Sequence, residues 1–104
     1  GQLVFILQRG VRFPLGPPFM KFYVYLLISN FKNKHISYVG YTSNIEKRVK
    51  LHNISKGAKF TKGKKWKLIY SKKYLSKSKA LKEEYKLKKN YKLRKTIKDK
   101  YIYN

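Results

Sequence analysis

Phe22-Tyr23-Val24-Tyr25-Leu26-Leu27-Ile28 and Ile36-Ser37-Tyr38-Val39-Gly40 are the two stretches on which the fold turns. Both are short runs of aromatic and β-branched residues bounded by polar ones, which is the pattern of strands. The polar span 29–35 between them predicts an antiparallel hairpin. Gly40, near the end of the second run, admits a close backbone approach. Asn44-Ile45-Glu46-Lys47-Arg48-Val49-Lys50-Leu51-His52 follows and reads as a helix reaching to about Ile54. Ser43 with Glu46 three residues later predicts a capping box at its start. At a helical turn of about 100° per residue, Ile45, Arg48, Val49, Leu51 and His52 share one face. Glu46, Lys47, Lys50 and Asn53 are expected on the other. Packing alone gives no reason to set a guanidinium and an imidazole in an apolar stripe. Arg48 and His52 therefore predict a polar site where this helix meets a small sheet.

Further along, residues 55–65 read as a basic loop containing Gly57 and Gly63, and 66–74 as a third strand. Ser76 or Ser78 is placed to cap a second helix from about Lys79 to Lys89. Its inward stripe is expected to hold Ala80, Leu81, Glu84, Leu87, Lys88 and Tyr91, with Glu83 turned away. A carboxylate at Glu84 must be paired, metal-bound or open to a cleft. Lys88, four residues on, offers the ordinary helical pairing. Leu93, Ile97 and Tyr101 predict a short third helix. The expectation is an α/β fold: a small three-stranded central sheet, an antiparallel hairpin plus a third strand, flanked by about three helices.

The chain has 27 Lys and Arg against 4 Asp and Glu, a formal charge of +23. Such a surface repels itself unless it meets a polyanion, and nucleic acid is the expected partner because neutralised phosphates release condensed counterions. Part of the lysine excess matches a composition also rich in Ile, Asn and Tyr, whose codons share a bias toward A and T. There is no cysteine, which excludes disulfide frameworks and thiolate zinc sites. With so few carboxylates and only two histidines, a metal site here would be sparse and water-rich, suiting magnesium or manganese. No stretch has the length of a membrane span. No membrane partner and no obligate protein partner is expected, and the expected location is intracellular, in cytoplasm, nucleoid or nucleus.

Residues 1–19 differ from the rest: they hold the apolar run Leu3 to Leu7, then Gly10, Pro14, Gly16, Pro17 and Pro18, and no lysine. They read as an N-terminal extension, non-native or without fixed structure, with Met20 as the natural start. If they order, Leu3 to Leu7 would add an edge strand.

At these residues the sequence resembles the GIY-YIG endonuclease family. Tyr23-Val24-Tyr25 stands in the place of its first motif and Tyr38-Val39-Gly40 in that of its second. Gly40-Tyr41-Thr42 through Arg48-Val49 and His52-Asn53 is similar to the family's first helix. Lys56-Gly57-Ala58-Lys59-Phe60-Thr61-Lys62-Gly63 is similar to the basic loop of the small single-domain branch, related to the nuclease domain of a structure-specific resolvase subunit. The stretch 76–84 with Leu87-Lys88 looks like the helix that carries the metal carboxylate. The likeness covers roughly residues 20–91. Three departures stand out: Tyr23 replaces the Gly of the family name, the gap from Tyr25 to Tyr38 is slightly long, and no proline follows the basic loop.

The resemblance implies a nuclease domain over 20–104 that hydrolyses DNA phosphodiester bonds with a divalent metal, leaving 5′-phosphate and 3′-hydroxyl ends. It implies Tyr38 as general base or orienter of the attacking water, and Tyr25 as a hydroxyl that positions water or phosphate. Arg48 would stabilise the pentavalent transition state, and His52 would bond near the nucleophile or share the base role. Glu84 would hold a single Mg2+ or Mn2+ ion. The Gly-flanked loop setting of Lys56, Lys59, Lys62, Lys64 and Lys65, together with Lys88, points to phosphate contacts. Phe60 and Trp66 are candidates to stack on an unpaired base, with core packing equally open to Trp66. A domain this small has little surface for reading sequence, so single-stranded or branched DNA is the expected substrate. The rival reading is a non-catalytic nucleic-acid-binding protein on the same fold.

Overall fold

Alternating residues of one central strand divide this molecule into two packed layers. The structure, a computed structural model, describes residues 21–104. The reading of 1–19 as an extension, and of Leu3 to Leu7 as an edge strand, lies outside the described residues. Strand β1 (Phe22–Phe31) is flanked by β2 (Lys34–Thr42) and β3 (Lys67–Tyr74) in the order β2-β1-β3, antiparallel throughout. Helix α1 (Ile45–Asn53) follows β2, and α2 (Lys77–Lys89) and α3 (Tyr91–Tyr103) follow β3. This is the expected α/β architecture of three strands and three helices.

The hairpin is tighter than its polar sequence suggests. Strand pairing continues to Phe31 opposite Lys34, leaving a two-residue turn at Lys32 and Asn33 with φ of 52° and 64°. Positive φ at both positions gives a turn whose twist matches that of the strands, so residues expected in a loop extend the ladder instead. One face of β1 carries Val24 and Leu26, which pack with Val39, Ala80 and Leu87 beneath α2 and α3. The other carries Tyr25 and Leu27, which pack with Trp66, Ile36, Tyr38 and Val49 beneath α1 and the basic loop. Successive strand residues point to opposite faces, which is why β1 is buried on both sides.

Helix ends correct the sequence reading in detail. The cap of α1 is Asn44, whose Oδ1 accepts from Lys47 N at 3.1 Å. The Ser43–Glu46 box is not formed, because this cap puts Lys47, not Glu46, at the third helical position. Ser76 caps α2, its Oγ accepting from Lys79 N at 3.1 Å. Asn90 ends α2 and also caps α3 through Leu93 N. That break turns Tyr91 onto a new helix, so Tyr91 is exposed and not part of the α2 stripe. Leu81 and Lys88 are also exposed; the buried stripe is narrower, holding Ala80 and Leu87 with Glu84 partly enclosed. Arg94 donates to the Leu87 carbonyl at 2.9 Å, satisfying the open end of α2.

Candidate active site

The polar line under α1 begins at the centre of the sheet. Tyr25 is 1% exposed and His52 is fully enclosed at 0%. The Tyr25 hydroxyl oxygen and His52 Nε2 are 2.9 Å apart. Arg48, one helical turn before His52, donates from Nε to the Tyr25 hydroxyl at 3.4 Å and from Nη2 to the Gly57 carbonyl at 3.3 Å. Tyr38, opposite Leu27 on β2, lays its ring against His52 with centroids 4.9 Å apart. Four of the five expected catalytic residues thus form one cluster, drawn from β1, β2 and α1.

Two glycines make the room for it. A Cβ on Gly40, paired across from Tyr25, would collide with the Tyr25 hydroxyl, and one on Gly57 would collide with the His52 imidazole. Each is required by close approach, not by turn geometry.

Burial raises the Tyr25 hydroxyl above its ordinary value; Arg48 opposes the rise, and the charges of Tyr38 and Glu84 add to it. Arg48 is held up first by its bond to Tyr25, against burial. Burial, and then the charge of Arg48, lowers His52, so its imidazole is neutral at pH 7. The enclosed His52 makes its polar contacts to Tyr25 and Thr61 and lies against the Tyr38 ring.

Glu84 stands in the other layer, on α2, with its side chain 15% exposed and Oε2 3.6 Å from Lys88 Nζ. It acts on Tyr25 by charge, without a hydrogen bond between them among the described contacts. Lys88 and Tyr38 line a shallow cleft of about 220 Å³ together with Ser37, Val39 and Arg94. Arg48 opens onto a neighbouring cleft of about 480 Å³ with Tyr41, Thr42 and Lys77. A larger cavity of about 650 Å³, beside Asn30, His35, Lys65, Lys67 and Tyr101, lies away from these five residues. Among the described residues no three histidines or carboxylates gather as a metal cluster. The donor chemistry of Glu84, a single partly buried carboxylate, fits an ion that keeps most of its own water, as magnesium does.

The basic loop is built, not merely solvated. Ser55 and Gly63 take positive φ and are tied by the bond from Gly63 N to Ser55 Oγ at 2.9 Å. Lys56, Lys59, Lys62 and Lys65 are exposed on it. Lys64 instead folds back, donating to the Phe60 carbonyl at 2.9 Å and lying over the rings of Phe31 and Phe60. Trp66 is core, donating from Nε1 to the Thr61 carbonyl at 3.0 Å. Phe60 is 52% exposed, near-parallel to the Tyr38 ring at 6.4 Å.

Two residues brace the site through contacts that the sequence pattern does not indicate. Asn53, expected to face outward, clamps the strand entrance: Nδ2 donates to Trp66 O at 3.1 Å and Oδ1 accepts from Trp66 N at 2.6 Å. Thr61, fully buried, sits 2.9 Å from His52 Nδ1. A lone threonine in a lysine-rich loop carries no signal of this.

Residues 21–98 match the family model described as the GIY-YIG catalytic domain. Short stretches of the chain are similar to UPF0213 proteins. One from Bacillus licheniformis is 63% identical over 27 residues, 26% of this chain and 28% of that protein. One from Oceanobacillus iheyensis is 45% identical over 38 residues, 36% of this chain and 44% of that protein. One from Bacillus cereus is 46% identical over 43 residues, 32% and 45% of the two chains. The matched stretches span less than half the length of these relatives. No solved structure matches the chain significantly. No helix among the described residues is long and apolar enough to cross a membrane.

Proposed function

The chain belongs to the GIY-YIG catalytic domain family, and from that premise we propose that it is a divalent-metal-dependent endonuclease cutting DNA to 5′-phosphate and 3′-hydroxyl ends inside the cell. The observation that carries the reading is the bonded cluster of Tyr25, Arg48 and His52 beside the half-buried Tyr38. A module that only binds nucleic acid needs none of these contacts.

Tyr38, at the edge of the cleft it shares with Lys88, takes or orients the proton of the attacking water. Arg48 holds the charge that develops on the phosphoryl oxygens. Its guanidinium has five N–H donors, and the bonds to Tyr25 and Gly57 use two while fixing its place. Glu84 is the proposed ligand of a magnesium or manganese ion. When bound, the ion supplies Lewis-acid stabilisation at the scissile phosphate. Lys88, which pairs with Glu84, would contact the DNA backbone together with Lys56, Lys59, Lys62 and Lys65. Lys64 acts differently, bracing Phe60.

The half-exposed ring of Phe60, close to Tyr38, supports a substrate with an unpaired base near the cut, either single-stranded or branched. Base stacking on an aromatic face tolerates any sequence, which suits so small a domain. The test is cleavage of labelled single-stranded, duplex, flap and four-way-junction DNA with magnesium, manganese or chelator, comparing wild type with Glu84→Gln. Metal-dependent cutting lost in the variant supports the nuclease. Tight binding with no cutting under either metal would replace this reading with that of a binding module.

A further inference from the structure

Inward from Arg48, the line of polar contacts ends in the basic loop at Thr61. Thr61 Oγ1 is 2.9 Å from His52 Nδ1, 2.9 Å from the Ala58 carbonyl and 3.2 Å from Ala58 N. On its other nitrogen, His52 meets the Tyr25 hydroxyl at 2.9 Å, and that hydroxyl accepts from Arg48 Nε. A neutral imidazole has one N–H and one acceptor nitrogen, and its neighbours decide which is which.

Consider the proton on Nε2. His52 and Arg48 then both donate to the Tyr25 oxygen, Thr61 must donate to Nδ1, and the buried Tyr25 proton has no acceptor among the described residues. With the proton on Nδ1, every group is satisfied. Nδ1–H donates to Thr61 Oγ1, the Thr61 hydroxyl donates to Ala58 O, the Tyr25 hydroxyl donates to Nε2, and Arg48 donates to the Tyr25 oxygen. An unpaired buried donor is the costlier arrangement.

We propose that Thr61 is a positioning residue: by accepting the Nδ1 proton it fixes His52 in the Nδ1–H tautomer, so that Nε2 draws the Tyr25 proton inward and the Tyr25 oxygen serves only as an acceptor for Arg48. Tyr25 then donates nothing to a phosphate; it holds the guanidinium in place. The turn that sets Thr61, closed by Thr61 N to Ala58 O at 3.1 Å, lies in the loop that also supplies the Gly57 carbonyl to Arg48. One loop therefore fixes both ends of the line. The effect on rate rests on the nuclease reading; the tautomer does not.

The test is nitrogen NMR of the full chain labelled at histidine, with His35→Gln to assign the His52 signals. At neutral pH, His52 is expected to show a protonated Nδ1 and a bare Nε2. A protonated Nε2 in the wild type would overturn the proposal whether or not the protein cuts DNA. Thr61→Val is expected to shift population toward the Nε2–H form. With a DNA that the wild type cleaves, it should lower kcat by about tenfold to a hundredfold with KM little changed, by analogy with the range for partners that orient a metal-bound histidine. Thr61→Ser, which keeps the hydroxyl, should retain both the tautomer and the rate. Wild-type tautomer and rate in Thr61→Val would also overturn it. The expected wild-type tautomer in a protein that cuts no DNA would support the wiring and remove the nuclease reading.

Discussion

Tyr25 and His52 come from opposite sides of the site, a central strand and a helix 27 residues later, and meet hydroxyl to Nε2 at 2.9 Å with both side chains enclosed. Such a bond survives only if nothing crowds it. Gly40→Ala puts a methyl against the Tyr25 hydroxyl, and Gly57→Ala puts one against the imidazole. Each is expected to cost about 1–3 kcal/mol, the usual range for overpacking, read as a lower urea midpoint at unchanged slope.

Arg48→Ala should lower kcat on the order of a hundredfold or more, the scale for one preorganised transition-state contact. Arg48→Lys should not restore it, because an ammonium cannot bond Tyr25 and the Gly57 carbonyl from one rigid fork. Single-turnover kinetics on a cleavable DNA would show this; a lysine variant at wild-type rate would refute it.

Glu84→Gln should abolish cleavage and leave DNA affinity nearly unchanged, since it removes the proposed metal ligand and no contact to the sheet core. Binding and cutting measured side by side at one salt concentration decide the matter. Cleavage persisting in the variant would remove the carboxylate from the metal site.

Acid should weaken the fold in a window set by His52. Burial and then Arg48 hold its folded value below the ordinary one. Below about pH 6.5 the unfolded chain therefore binds a proton that the folded chain refuses, so stability is intact above that pH, falls as pH drops, and levels off once the folded value is passed. Glu83, held low by Lys86 and then Lys79, loses its stabilisation only nearer the ordinary carboxylate range. Urea midpoints from about pH 8 to about pH 5 should show the first decline, and His52→Gln should flatten it.

Phe60→Ala should weaken binding of single-stranded or flapped DNA by about 1–3 kcal/mol, the value of one stacked base, and leave duplex affinity unchanged. Equal losses on both substrates would assign the ring to packing against Tyr38 alone.

Much of the site was legible because polar residues in apolar stripes are conspicuous. Arg48 and His52 at helical spacing, and Glu84 in the stripe of α2, stand out from pattern alone; Tyr25 and Tyr38, among several strand tyrosines, are picked out only by the family resemblance. Trp66 and Phe60 could not be told apart by sequence, yet one is core and the other surface. Asn53 is exposed, as its place on the outer face of α1 predicts, but its clamp on the Trp66 backbone leaves no trace in side-chain periodicity. Thr61 was invisible for a related reason: its role depends on the turn that aims it.

The amino-acid sequence by itself determined the element order, the basic surface and the alternation that buries β1 on both faces, because these follow from local spacing and composition. Only the tertiary structure decided that His52 is sealed between Tyr25 and Thr61, that Lys64 braces Phe60, and that Gly40 and Gly57 are small because side chains occupy their space. Those facts depend on residues far apart in the chain competing for the same volume and the same protons. No local pattern carries that information.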